Sequence, residues 1–348
     1  MMPAPRKWPD PAAALFALAL TVLPLCLPGT AATAQTPLTI TARPIESFRG
    51  RAFGDVVQKL IWRGGLELKG PEDFGGLSGL AFIDTERFVI VSDRGQFFTG
   101  TLEMDRGRPR GLSAVAMSPI RNSHGAPLPP NYSRDAEAID TIFRSGKASD
   151  VRVGFENLTR VADFELRNAR PSGPAREVPI PHWLSDLRSN TSLESLCIAP
   201  ETSPIAGATI LLMEDFPDEE GNHSGWILGK SEDDPIAGPL SLTADPGFNP
   251  TDCAFLPGGD LLVLERGTGF LSFNMRIRRF DATGIHTGAL LTGQVILTGS
   301  GGEIDNMEAM AVRTMPDGTV RITLMSDNNF NGWERNLLLD FELIEIQE

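Results

Sequence analysis

Cysteine and histidine are scarce in this chain of 348 residues, which contains 3 of the former and 4 of the latter. So few cysteines exclude a disulfide-rich scaffold. The histidines stand singly and show none of the spacings by which zinc ligands are recognised. A glycine-rich phosphate loop with its lysine is also missing, which argues against a nucleotide-binding fold of that kind. Metal or phosphate chemistry must therefore use other side chains.

Long apolar runs are confined to the first 34 residues, where a basic start precedes an apolar stretch at residues 12–27. A cleavage site of small residues follows at 32–34, and this order is typical of a secretory signal peptide. The stretch falls short of the roughly 20 apolar residues that span a membrane. We therefore predict a signal peptide over residues 1–34 and a mature domain over residues 35–348. The mature domain is expected to be periplasmic or secreted, without membrane attachment.

Basic residues are outnumbered, because 45 Asp and Glu stand against 31 Lys and Arg, a net charge of −14. A surface of this sign repels phosphate backbones, so we expect no nucleic-acid partner. It favours cations, or ligands that arrive together with cations.

A segment of alternating apolar residues recurs five times at nearly equal intervals, and an acidic residue opens four of the copies. The segments lie at 77–82, 136–141, 193–198, 251–255 and 307–312, with anchors at Ser78, Glu137, Glu194, Asp252 and Glu308. A second apolar run with a charge at or next to its end follows each, at 88–94, 151–156, 209–215, 261–266 and 322–328. Turn residues such as Gly258-Gly259 separate the two runs and indicate hairpins.

Two weaker strands complete each unit, so that four antiparallel strands recur in every repeat. This pattern predicts an all-β, single-domain β-propeller with four-stranded blades. The fifth unit lacks an outer strand, which residues 60–68 can supply, so that strands from both ends of the chain close the ring. We predict five blades; a sixth blade built from residues 38–53 is the alternative.

In a hairpin the start of one strand lies beside the end of its partner. The predicted cross-strand pairs are Ser78 with Asp93, Glu137 with Glu156, Glu194 with Glu214, Asp252 with Glu265, and Glu308 with Asp327. Because inner strands line the central channel, about nine carboxylates should ring one of its mouths. Such like charges raise one another's pKa unless something compensates them.

Calcium can compensate them, since it binds several carboxylate oxygens at once. The predicted metal ligands are Asp93, Glu137, Glu156, Glu194, Glu214, Asp252, Glu265, Glu308 and Asp327. Arginines that follow the second-strand acids can compensate as well. Loops on the same face make Arg160, Asn249 and Asn329 candidates for ligand binding.

Cys197 and Cys253 remain after the predicted signal peptide. They can pair only if their backbones approach closely. Because they occupy non-equivalent positions in neighbouring repeats, buried free thiols are the favoured expectation and a bridge is the alternative.

A set of short motifs, taken in order, resembles the phytase-like family, which is described as having an esterase-like activity. The motifs are GGLSGL at 75–80, VSDRG at 91–95, DAEAI at 135–139, ESL at 194–196, FNPTD at 248–252, LLVLER at 261–266, MEAMA at 307–311 and SDNNF at 326–330. The resemblance implies a hydrolase in which calcium, held at a carboxylate-rich mouth, binds phosphate and activates water. Glu137, Glu194, Arg94 and Arg266 would then be catalytic.

Lysines, which propeller phytases commonly add for a polyphosphate, are rare in these loops; Lys147 and Lys230 are the nearest, and neither belongs to the acidic ring. The expected substrate is therefore a small phosphoric or related ester rather than phytate. Ser78 is a weak candidate nucleophile, because its motif lacks the final glycine of a nucleophile elbow. The alternatives are a lactonase-like propeller hydrolase and a non-catalytic propeller that binds a ligand or a protein partner.

Overall fold

The structure is a computed structural model that describes residues 1–4, 35–187, 192–231, 234–269 and 272–344. Residues 33–348 group as one compact unit, and only 1–4 are described of the separate unit that precedes it. The predicted signal peptide thus lies outside the described residues apart from its first four. In the part of the chain that is described, no helix has the length and apolar character needed to cross a membrane.

Strands account for almost all regular structure in the described residues. Six precede the first repeat: β1 (Thr36–Pro37), β2 (Thr41–Ile45), β3 (Ser47–Phe48), β4 (Arg51–Ala52), β5 (Val56–Val57) and β6 (Leu60–Lys69). Blade 1 contains β7 (Leu77–Phe82), β8 (Arg87–Ser92), β9 (Gln96–Asp105) and β10 (Arg108–Pro119). Blade 2 contains β11 (Ala136–Arg144), β12 (Lys147–Phe155), β13 (Arg160–Arg167) and β14 (Arg170–Val178).

The remaining blades follow in chain order. Blade 3 contains β15 (Leu193–Ile198), β16 (Thr209–Pro217), β17 (His223–Leu228) and β18 (Gly238–Leu242). Blade 4 contains β19 (Asn249–Phe255), β20 (Leu261–Gly269), β21 (Ser272–Phe280) and β23 (Gln294–Ser300), while β22 (Leu290–Leu291) pairs with β18. Blade 5 contains β24 (Asn306–Thr314), β25 (Val320–Asp327) and β26 (Asn336–Leu343). The helical pieces are α1 (His182–Ser185) and 3₁₀ turns at Tyr132–Arg134, Ala282–Gly284 and Gly301–Glu303.

These sheets are antiparallel blades in a propeller ring, and the predicted five-bladed fold is confirmed. The fifth blade is closed by β6, which pairs with β26 from the other end of the chain, as expected. The alternative sixth blade does not form. Its residues instead add β2 to the outer edge of β6 and make the small β3–β4 hairpin.

Apolar residues fill the spaces between neighbouring blades in five clusters. The middle strands therefore pack on both faces, and every residue of β25 is buried. The ring closure is sealed by Phe48, Trp62 and Phe341, whose ring centroids lie 5.1 to 5.5 Å apart. All three are almost completely buried, and removing a buried aromatic ring of this kind costs about 3–5 kcal/mol.

A β-bulge interrupts the pairing of the first two strands in every blade, near the start of the inner strand. The extra residues are Ser78, Glu137, Glu194, Thr251 and Glu308. The anchor of the fourth repeat is therefore Thr251, and the predicted anchor Asp252 is wrong by one residue. With Thr251 in that place, the anchors of the last four repeats are evenly spaced along the chain.

Neighbouring inner strands are tied together by side chains. Asp140 of β11 accepts the backbone N–H of Ile198 at 2.8 Å, and Asp252 of β19 accepts that of Met310 at 2.7 Å. Between β15 and β19 the tie is covalent, because Cys197 and Cys253 form a disulfide with a Cα–Cα distance of 5.7 Å. The expectation of buried free thiols is wrong. Counted from the predicted anchors Glu194 and Asp252, the two cysteines occupy positions that differ by two within their repeats. Counted from the bulged residues Glu194 and Thr251, the positions differ by only one.

Replacing both cysteines by serine should destabilise the domain. The bridge closes a loop with a sequence separation of 56 residues, for which loop entropy in the unfolded chain predicts about 4 kcal/mol. Urea unfolding of the wild type and the double variant measures this difference. Reductant should lower the wild-type midpoint and leave that of the variant unchanged; equal midpoints of the two oxidised proteins would show that the bridge contributes nothing.

Candidate functional site

The bulged residues and the residues opposite them converge on one mouth of the central channel. A bulge re-aims the side chain of the extra residue, and three of the five are Glu137, Glu194 and Glu308. Opposite the start of each inner strand, an acid stands at or near the end of the second strand in four blades. These acids are Asp93, Glu156, Glu214 and Asp327, and Asp135 precedes β11. Together with Arg266 of blade 4, we call these nine residues the mouth ring.

Blade 4 departs from the pattern, since Arg266 takes the place that an acid takes elsewhere. Arg266 pairs with Asn249, and Glu265 pairs with Pro250, so the predicted pairing of Asp252 with Glu265 is wrong by register. Glu265 is fully buried and binds Arg276 and Arg278. Asp252 is 1% exposed and engaged by backbone N–H groups. The structure thus places both predicted metal ligands in structural contacts rather than in the mouth ring.

Arg266 bridges two blades through the carboxylates of the mouth ring. Its Nη2 donates to Glu214 Oε1 at 3.1 Å, and its Nη1 donates to Asn306 Oδ1 at 2.6 Å and to Glu308. Asn306 also donates to Glu308 at 2.6 Å. One guanidinium therefore compensates only part of the charge of eight carboxylates.

Burial and mutual repulsion disfavour the ionised forms of these acids. Burial, with repulsion from Asp135, raises the pKa of Glu156 to about 8. Burial raises the pKa of Glu308 to about 7 and, with repulsion from Asp327, that of Asp93 to about 6. Burial, with repulsion from Glu194, raises the pKa of Glu137, and burial, with repulsion from Glu214, raises the pKa of Glu194. Without a cation, the mouth ring thus retains protons near neutral pH.

Asp135, Glu137 and Glu156 place carboxylate oxygens within 4.8 Å of one another. Three carboxylates at this separation offer an all-oxygen donor set, which suits a hard cation such as calcium and does not suit zinc. Glu137 also interacts closely with Asp135, and Glu156 with Glu194, so each of these pairs favours a proton shared between two carboxylates. A cation that replaced these protons would remove the repulsion, so the residues fit a metal site.

The repeat pattern does not identify Asp135, because this residue precedes the strand whose first acid is the predicted anchor. A signal was available, since Asp135 stands two residues before Glu137 and lies opposite Glu156. In the structure its carbonyl accepts the backbone N–H of Glu156 at 3.0 Å. The side-chain amide of Asn157 donates to the Asp135 carboxylate and orients it.

Asp327 closes the ring at the seam between blades 5 and 1. Its Oδ1 accepts the backbone N–H of Leu77 at 2.8 Å, and its Oδ2 accepts that of Asn329 at 2.9 Å. Asn329 and Phe330 adopt left-handed backbone angles, with φ of 47° and 53°. This strained turn sets Phe330 beneath the Arg94 guanidinium, whose central carbon lies 3.2 Å from the ring centroid.

The predicted catalytic arginine Arg94 and the three predicted ligand-binding residues lie in different surroundings. Arg94 is exposed beside Asp93, and its charge opposes the rise in the pKa of that acid. Arg160 instead lies over the Phe155 ring at 3.8 Å and donates to backbone carbonyls. Asn329 binds Glu334 at 2.7 Å, whereas Asn249 is partly exposed beside Glu214 on the wall of a cavity.

The family described as "Phytase-like: Esterase-like activity of phytase" matches residues 72–330, a range that includes the whole mouth ring. The chain belongs to the phytase-like family. None of the curated proteins matches this phytase-like chain.

Among solved structures, the phytase-like chain is similar to the PQQ-bound aldose sugar dehydrogenase of Streptomyces coelicolor. The identity is 13%, with coverage of 90% of this chain and 100% of that one and a TM-score of 0.40. It is also similar to a glucose dehydrogenase, at 13% identity, 78% and 98% coverage and a TM-score of 0.44. At these values the similarity carries no inference about chemistry.

The raised pKa values predict that the metal-free domain loses stability as pH rises. An acid whose pKa is higher in the folded state binds more protons when the protein is folded. Its contribution to the free energy of unfolding is complete below the pKa of the unfolded state and is lost as the pH rises through the pKa of the folded state. For Glu156 this window runs from 4.5 to about 8. In chelator, we expect Tm to fall by roughly 5–10 °C from pH 5 to pH 8.

The matched variants for this measurement are Glu156→Gln, in the mouth ring, and Glu165→Gln, on an exposed part of β13. The first should flatten the dependence of Tm on pH, and the second should leave it unchanged. A wild-type Tm that rises from pH 5 to pH 8 in chelator would contradict the proposed repulsion.

Proposed function

We propose that this protein is an exported, calcium-dependent hydrolase of phosphoric or related esters, with the mouth ring as its active site. The observation that supports this best is the Asp135, Glu137 and Glu156 cluster, with oxygens within 4.8 Å, inside a wider ring of carboxylates. The phytase-like family, with its description as esterase-like, supports ester hydrolysis. Export rests on the signal-peptide pattern of residues 1–34.

Asp135, Glu137 and Glu156 would hold the cation, and Glu194 is next to them through its interaction with Glu156. Bound calcium would attract the substrate's anionic oxygens and lower the pKa of water. Glu214 and Glu308 are held by Arg266, and both Asp327 oxygens accept backbone N–H groups. These three acids shape the mouth, and the second-blade cluster is its metal centre.

The chain supplies the remaining elements of catalysis. Arg94 presents an exposed guanidinium at the rim, and a planar fork of this kind matches two phosphoryl oxygens. Its position over Phe330 fixes the plane of the fork. Arg266, held on three sides, adds fixed positive charge where the leaving oxygen becomes anionic. A carboxylate oxygen of Glu194, whose pKa is raised by burial and by Glu214, can accept the proton of the attacking water.

Calcium binding should release protons, because the mouth ring holds them near neutral pH. Affinity should increase as pH rises from about 6 to about 8, through the pKa values of Asp93, Glu308 and Glu156. Titration calorimetry in buffers of different ionisation enthalpy measures both the affinity and the number of protons released. Glu137→Gln should abolish tight binding, Glu165→Gln should preserve it, and the absence of calcium binding to the wild type would refute the proposed metal centre.

Turnover should require both the cation and the second-blade acids. Aryl phosphates, phosphodiesters, carboxyl esters and lactones, assayed with Ca²⁺ and with chelator, cover the substrate classes. We expect Ca²⁺-dependent hydrolysis of phosphoric esters, lowered about 100-fold or more by Glu137→Gln or Glu194→Gln, and unaltered by Glu165→Gln.

Two outcomes of the same assay would replace the proposal. Turnover of lactones alone would identify a lactonase-like propeller. Calcium binding without turnover of any class would identify a non-catalytic propeller that binds its ligand or protein partner at the mouth.

A further inference from the structure

A cavity opens beside the mouth ring, between blades 3 and 4. Its volume is about 300 Å³, and its walls include Glu214, Phe216, His223, Phe248 and Asn249. Glu214 also binds Arg266, so the cavity and the mouth ring share a wall. A ligand that reached from one to the other would pass directly over Glu214.

The aromatic walls of this cavity are held in place by their neighbours. Phe216 stacks on Trp183 at 6.1 Å with an interplanar angle of 22°, and Trp183 meets Trp226 edge-on at 5.6 Å. On the other wall, the Arg276 guanidinium lies 4.4 Å from the Phe248 ring centroid. Arg276 also binds Asp245, which lines the cavity. Both rings are therefore preorganised, although Phe216 remains 41% exposed.

His223 lines the same cavity and carries a hydrogen-bonding atom without a partner in the described part of the chain. The residue is only 8% exposed, and its Nε2 is buried without a hydrogen-bond partner among the described residues. Its ring interacts with the backbone of Phe248, while burial, with Arg278 and Arg276, lowers its pKa. A neutral imidazole whose other nitrogen donates to a carbonyl presents Nε2 as an acceptor. Leaving a buried acceptor unpaired is unfavourable, so a ligand hydroxyl that reached Nε2 would relieve this cost.

The walls also define what the ligand must offer. Glu214, Asp245 and His223 Nε2 accept hydrogen bonds, Asn249 adds an amide, and two phenyl faces provide apolar surface. Carboxylates repel anions, so a phosphate group belongs at the arginines of the mouth and not in this cavity. Several hydroxyl donors on a ring that packs against phenyl faces would satisfy every wall. The volume lies at the lower end of the range for ligand pockets, roughly 300–1,000 Å³, which suits one ring.

We propose that this cavity is a binding site for a neutral, polyhydroxylated ring of monosaccharide size. The identity of the substrate rests on the proposed function. If that function holds, the ring is the alcohol part of the ester and the preferred substrate is a sugar monophosphate. The ring then lies between Phe216 and Phe248, and its ester oxygen lies over Glu214 toward Arg266.

Binding can be measured without turnover. Aldohexoses, aldopentoses and inositol, with phenol for comparison, are titrated into the full chain in chelator while tryptophan fluorescence and ligand NMR are recorded. At least one polyol should bind saturably. Ala244→Trp, which fills the cavity from its half-buried wall, and His223→Phe, which removes the acceptor, should each weaken binding at least about tenfold. Ala282→Trp, on a turn at the opposite face, is the matched control and should bind normally.

Failure of this site and failure of the proposed function give different results. Polyol binding without hydrolysis of any ester supports the cavity and rejects the hydrolase. Hydrolysis of sugar phosphates with a KM that Ala244→Trp does not change supports the hydrolase and rejects the cavity. The wild-type titration is decisive even if a variant fails to fold: if no polyol binds saturably, or if phenol alone binds, the proposed site is wrong.

Discussion

The bulge near the start of each inner strand is the constraint on which the mouth depends. A regular strand would send alternate residues to the two faces of its blade, and neither face looks along the channel. The extra residue breaks this alternation, so that Glu137, Glu194 and Glu308 turn toward one another from three different blades. The backbone register therefore causes the repulsion between these carboxylates. Changes of side-chain rotamer that keep the carboxylates at the mouth of the channel do not remove it.

Such repulsion needs a scaffold that resists it. Propeller inner strands do not hydrogen-bond to one another through a backbone ladder, and here Asp140, Asp252 and the Cys197–Cys253 bridge join them directly. The two aspartates accept backbone N–H groups while buried, which is why their burial is tolerated. These links between the inner strands make the scaffold rigid. The acids of the mouth ring form a site whose negative charge is stabilised by a bound cation or by protons.

Much of this arrangement follows from the sequence, because five evenly spaced repeats with alternating apolar residues leave few folds open. The acids of blades 1, 2, 3 and 5 could be placed at one mouth from strand pairing alone. The fourth repeat could not, since Thr251 carries no charge and the neighbouring Asp252 imitates the pattern one position later. That single slip also concealed the disulfide and assigned Glu265 to the mouth in place of Arg266. Arg276 lies opposite Glu265 on the neighbouring strand of the same blade, so this ion pair depends on the register of β20 with β21, which no local pattern contains.

The closure of the ring by β6 has a consequence for the order of events in folding. Asn336 pairs with Leu68, which lies near the other end of the chain, so β6 is synthesised long before its partner exists. Until then it is an open strand edge, and contacts of such sequence separation form slowly. Glu308 and Asp327 belong to the same late blade, so the full set of repelling charges assembles only in the final step. A ligand that joins the blades at the mouth would consequently lengthen the lifetime of the closed ring far more than it would hasten its formation.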